Sequence, residues 1–65
     1  MERKFLKRID VGPLVKGEPA GCVLLYAIED GISLVITSRE NGDAELFFNR
    51  KEAKKIISAI NLAIQ

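Results

Sequence analysis

Residues 22–48 read CVLLYAIEDGISLVITSRENGDAELFF, and the spacing of apolar residues about two turn signals in this stretch decides the fold. Three runs of strand character, 22–28, 32–38 and 44–48, are rich in β-branched, aliphatic and aromatic side chains. Between them, Glu29-Asp30-Gly31 and Glu40-Asn41-Gly42 repeat one pattern in which Asp or Asn precedes Gly. That pattern suits a three-residue hairpin loop, a type I turn whose glycine takes the left-handed position of a bulge. A two-residue type I′ turn at Asn41-Gly42 is the competing reading, and register separates the two. Three-residue loops set Ile28 opposite Ile32, Tyr26 opposite Leu34, Leu24 opposite Ile36, then Ile36 opposite Leu46 and Leu34 opposite Phe48. All even-numbered apolar residues then share one face. The two-residue turn sets Ile36 against Phe47 and mixes the faces, a slip that carries a strand's apolar set to the wrong side. Three-residue loops are therefore expected.

Working outward, residues 3–11 alternate Phe5, Lys7, Ile9, Val11 against Leu6, Arg8, Asp10, the pattern of a strand with one mixed face. Residues 12–21 hold two prolines and three glycines and form the longest loop. Beyond the strands, Asn49 and Glu52 make a capping box at the start of a helix. At about 100° per residue, Ala53, Ile56, Ile57, Ile60 and Ile64 line one stripe, with Lys54, Ser58, Asn61 and Gln65 opposite. The expectation is a single small α+β domain over residues 1–65. It is a four-stranded antiparallel β-meander followed by one C-terminal amphipathic helix, packed on the even face of the sheet.

Sixty-five residues leave such a domain short of core, because a chain of this length buries only roughly 60% of the surface its unfolded form exposes. The usual reinforcements fail in turn. One cysteine makes no internal disulfide, and one cysteine with no histidine makes no structural zinc site. Tight packing or oligomerisation remains. A 48% hydrophobic fraction with net charge +1 argues against disorder. No uncharged apolar run approaches the length of a membrane span, and the charged start Met1-Glu2-Arg3-Lys4 leads into no apolar signal core. A lone thiol then points to the cytoplasm.

The even face has the helix; the odd face, on this register, has nothing. Leu25, Val35 and Phe47 form a row there, flanked by Val23, Ala27 and Thr37, with Ser33, Arg39 and Glu45 bringing polarity. Contiguous exposed apolar surface marks an interface, so Val23, Leu25, Val35 and Phe47 are the candidate contacts of a homodimer, with an edge strand as the alternative seam. Leu62, off the helical stripe, adds a hint of a helix-side contact. Basic residues cluster in two runs, Arg3, Lys4, Lys7, Arg8 and Arg50, Lys51, Lys54, Lys55, at the end of the meander bearing the 29–31 turn. Of these, Arg3, Lys4, Lys7, Arg8, Arg50, Lys51 and Lys54, with Arg39 on the sheet, are the candidate anion contacts of an alternative reading, a binder of single-stranded nucleic acid that also uses Phe47 on the sheet. One aromatic, Phe47, on the uncovered face and a pI near 7.9 place that reading second.

Catalysis draws little support. Without histidine, a general acid or base falls to Asp, Glu, Lys, Tyr26 or Cys22. The acidic residues serve turns, Cys22 reads as a small core residue and Tyr26 as a packed ring. No enzyme, cofactor or metal is expected. The order of elements, with Asp30-Gly31-Ile32-Ser33-Leu34, is similar to that of the single-stranded-DNA-binding transcriptional coactivator family, which places a Gly-Ile-Ser-Leu stretch before its helix. Here the stretch enters a strand and hairpin, so no binding residue carries over. The leading expectation is a non-enzymatic, dimeric protein-interaction module.

Overall fold

The computed structural model describes residues 2–65. Strands β1 (Lys4–Val11), β2 (Gly21–Ile28), β3 (Gly31–Ser38) and β4 (Gly42–Asn49) form one open antiparallel sheet in the order β1-β2-β3-β4. Helix α1 (Arg50–Ile64) follows and contacts the sheet at β3 and β4, an α+β arrangement as the sequence indicates. No helix among the described residues is long and apolar enough to cross a membrane.

The first hairpin departs from expectation by one residue. Ile28 lies opposite Gly31, so the loop is Glu29-Asp30 alone. Asp30 itself takes the left-handed conformation, at φ 60°, which a short polar side chain tolerates. Gly31 is freed from the turn and has a different duty. A Cβ there would collide with the carbonyl oxygen of Phe48 in β4. Glycine at 31 lets β4 close against β3 at this corner. The shorter loop shifts the β2–β3 register by one, pairing Leu25 with Leu34 and Tyr26 with Ser33, and every β2 side chain changes face.

The second hairpin keeps its parity. Gly42 is left-handed, at φ 76°, as the bulge pattern requires, but the loop lies at Arg39–Asn41 and Ser38 pairs with Gly42. The Ser38 hydroxyl fixes that position by accepting from the amides of Glu40 at 3.2 Å and Asn41 at 3.3 Å. The register therefore slides by two residues, to Ile36 opposite Ala44 and Leu34 opposite Leu46, and no side chain changes face. In β1 a bulge between Phe5 and Lys7 inserts an extra residue. It places Phe5 on the same face as Arg8 and Asp10, where strict alternation would separate them. The 12–20 loop contains its own tight turn at Lys16-Gly17, closed by reciprocal hydrogen bonds between Val15 and Glu18 of 2.8 and 3.0 Å.

The helix starts as read. Asn49 accepts from the Glu52 amide and Glu52 accepts from the Asn49 amide, both at 2.9 Å. Its stripe is not buried, however. Ala53 is half-buried and every other residue of α1 is exposed, Ile57 at 58% and Ile64 at 75%. The chain is correspondingly open. Its radius of gyration of 13.2 Å exceeds the about 10.7 Å of a compact domain of this length. Among the described residues only Cys22 and Ser33 are buried.

Two glycine substitutions separate close approach from turn conformation. Gly31→Ala should destabilise by at least about 2 kcal/mol, because backbone must move. Gly42→Ala has open space and only the left-handed strain of about 1–2 kcal/mol. Urea unfolding of the two variants checks the order; equal costs would contradict it.

Candidate functional site

The corrected register gives the sheet two faces of different chemistry. One is aliphatic. Leu25, Leu34 and Leu46 form a row across β2, β3 and β4, with Val23, Ile36 and Ala44 on one side and Ala27, Ile32 and Phe48 on the other. Edge strand β1 extends these rows with Ile9, Lys7 and Lys4. Apart from those two lysines no position on this leucine face is charged. Leu46 is 64% exposed, and Ile9 and Ile36 are also exposed.

The other face is mixed. Phe5, Tyr26, Ser33 and Phe47 lie in one row across all four strands. The Phe5 and Tyr26 rings meet edge to face, 5.6 Å between centroids, and the Arg3 guanidinium lies 4.6 Å over the Tyr26 ring. Arg3 also pairs with Glu45, whose carboxylate accepts a 2.7 Å hydrogen bond from the fully buried Ser33 hydroxyl. Nearby, Cys22 Sγ and Thr37 Oγ1 share a hydrogen bond of 3.1 Å, and Arg8 donates to Asp10 at 2.9 Å. That hydrogen bond and the Asp10 charge raise the Arg8 pKa above its ordinary value. Among the described residues no buried side-chain nitrogen or oxygen lacks a partner. Polar pairs thus interleave with the rings on this face, where Phe5 and Phe47 remain exposed.

The four candidate interface residues therefore do not share a face. Val23 and Leu25 lie on the leucine face, whereas Val35 and Phe47 lie on the aromatic face with Tyr26 and Leu24. The expected row Leu25-Val35-Phe47 is replaced by Leu25-Leu34-Leu46. The cause is the two-residue loop, which turns β2 over relative to β3 and β4. The expectation of one aromatic on the face of Phe47 is corrected by the same shift, since Tyr26 and, through the bulge, Phe5 join it there. The Asp30-Gly31 pair by itself does not signal that Asp30, and not Gly31, takes the left-handed position.

The basic residues divide as well. Lys4 pairs with Ala27, and Asn49 pairs with Gly31, so Arg3, Lys4, Arg50, Lys51 and Lys54 do gather at the end bearing the 29–30 turn. Lys7 faces the leucine side and Arg8 the aromatic side. Arg39 lies at the opposite end, in the β3–β4 turn, where its Nη2 donates to the Pro13 carbonyl at 3.4 Å and its amide to the Ala20 carbonyl at 3.1 Å. It pins the 12–20 loop, and the expected pairing of Arg39 with Phe47 on the sheet does not occur. Cys22, buried and hydrogen-bonded, and Tyr26, held between Phe5 and Arg3, occupy structural positions.

The polar network yields a prediction. Glu45→Ala strands the buried Ser33 hydroxyl and should cost about 1–3 kcal/mol. Arg3→Ala removes only an exposed ion pair and a ring contact and should cost at most about 1 kcal/mol. Thermal unfolding distinguishes them; an Arg3→Ala cost equal to that of Glu45→Ala would contradict this partition.

No protein-family model, curated protein or solved structure matches this chain.

Proposed function

We propose that this protein is a small, non-enzymatic interaction module that works as a homodimer sealed across the leucine face. The observation that carries the reading is surface. The chain exposes 5468 Å², against about 4,100 Å² for a compact 7.2 kDa protein. The excess, about 1,300 Å² per chain, amounts to about 2,700 Å² for a pair and falls in the range of obligate dimer interfaces. A nearly charge-free sheet face is suited to that burial, since sealing it strands no ions beyond the edge lysines. The β1 edge is blunted by its bulge and by Lys4 and Lys7, which favours the face over that edge as the seam.

Because Leu46 is exposed in the single chain, an acidic residue there does not disturb the chain's own packing. Leu46→Asp should sediment at 7.2 kDa at concentrations where the parent sediments at twice that mass. Phe47→Asp, on the other face, should leave the pair intact. A parent that stays at 7.2 kDa at millimolar concentration would overturn the reading.

A second reading takes the aromatic face as a platform for single-stranded nucleic acid, favoured by three rings in one cross-strand row. It ranks second because Asp10, Asp43 and Glu45 share that face, and its Arg3 and Arg8 are already paired with carboxylates. It predicts retardation of a single-stranded oligonucleotide that weakens as salt rises and is lost in Phe47→Ala. Unchanged migration at low salt would dismiss it.

A further inference from the structure

We infer that the leucine face of each chain is covered by the C-terminal half of helix α1 from a second copy, so that the two chains exchange helices. The inference rests on the homodimer reading and specifies what seals it.

Three observations converge on the helix. The first is the junction. Asn49 is both the last residue of β4 and the N-cap of α1, so no linker separates strand from helix. Connections that fold a helix back over its own sheet take about 2–6 residues. The capping box, with two reciprocal 2.9 Å hydrogen bonds, fixes the start of the helix at the last strand residue. The helix contacts β3 and β4, with Ala53 its one half-buried residue, and leaves its other apolar residues exposed, Leu62 at 74% among them.

The second is composition along the helix. The first half carries Arg50, Lys51, Glu52, Lys54 and Lys55, whereas from Ile56 to Ile64 only Ser58 and Asn61 are polar. The apolar surface of that second half extends beyond one stripe to include Leu62. A segment apolar over most of its circumference is a buried segment. Among the described residues none buries it, and residues 56–64 are all exposed.

The third is fit. Residues 56–64 make a rod about 13 Å long at 1.5 Å per residue. Four strands about 4.8 Å apart make a face about 14 Å wide. The half-helix thus spans the sheet from edge to edge. The charged half projects past the edge into solvent, and its C-terminal carbonyls, which lack a basic residue in the last turn, find Lys4 and Lys7 at the β1 edge of the partner face. Two-fold symmetry makes the exchange reciprocal, and both uncovered surfaces disappear together.

The test mixes two full-length preparations, one carrying ¹³C-methyl isoleucine and the other ¹³C-methyl leucine, and reads cross-chain methyl contacts by isotope-filtered NMR. Exchange predicts contacts from Ile57, Ile60 or Ile64 of one chain to Leu34 or Leu46 of the other. A pair whose cross-chain contacts join only sheet residues, Leu34 or Leu46 to Ile32 or Ile36, overturns the exchange and leaves the dimer standing. A monomer in sedimentation overturns both. A helix variant gives an independent readout: Ile60→Asp, at a position exposed in the single chain, should weaken dimerisation at least 100-fold while the sheet remains folded by circular dichroism. Parent-like dimerisation of Ile60→Asp would overturn the exchange.

Discussion

The backbone of β4 approaches Gly31 so closely that no side chain fits between them, and the character of both sheet faces follows from that corner. With glycine spent on the approach, the left-handed turn residue becomes Asp30 and the loop shortens to two residues. That single residue decides which side chains stand together. It gathers Leu25, Leu34 and Leu46 into one aliphatic row and gathers Tyr26, Ser33 and Phe47 into the other. A three-residue loop would have set Tyr26 beside Leu34 and Leu25 beside Val35. The observed loop exchanges them, adding Leu25 to the aliphatic face and Tyr26 to the face that carries Ser33, Glu45 and Phe47.

The same economy of chain governs the other corner. Asn49 ends a strand, caps a helix and leaves no residue for a reversal. A longer connection would let Ile57 and Ile60 lie on their own sheet and close a small two-layer domain. Without it, the helix contacts β3 and β4 but leaves Ile57, Ile60 and Ile64 exposed. The large radius of gyration and the scarcity of buried residues accompany that exposure. The proposed assembly of two copies would resolve it without any change in the strands, turns or caps.

Much of this fold was legible in the sequence because its signals are local. Strand runs, the Asn49–Glu52 box and left-handed Gly42 depend on a few neighbouring residues, and each lies where the pattern indicates. The faces were less legible because they depend on loop length, and Glu29-Asp30-Gly31 admits two lengths with the same residues. The bulge at β1 hid Phe5 in the same way, since alternation alone assigns it to the wrong side. The excess of apolar residues over what one helix and one face can use was visible from composition, but its location required the register. Arg39 falls in the turn and not on the sheet because β3 ends at Ser38, a position fixed by hydroxyl-to-amide hydrogen bonds that no periodicity reports.

The central claim is that this chain completes its core only with a second copy, and coupling between folding and association tests it most directly. Thermal unfolding followed by far-ultraviolet circular dichroism over a 100-fold range of protein concentration reads that coupling, because mass action stabilises an obligate dimer as concentration rises. The account predicts a midpoint that climbs steadily with concentration. A midpoint independent of concentration across the whole range would contradict it.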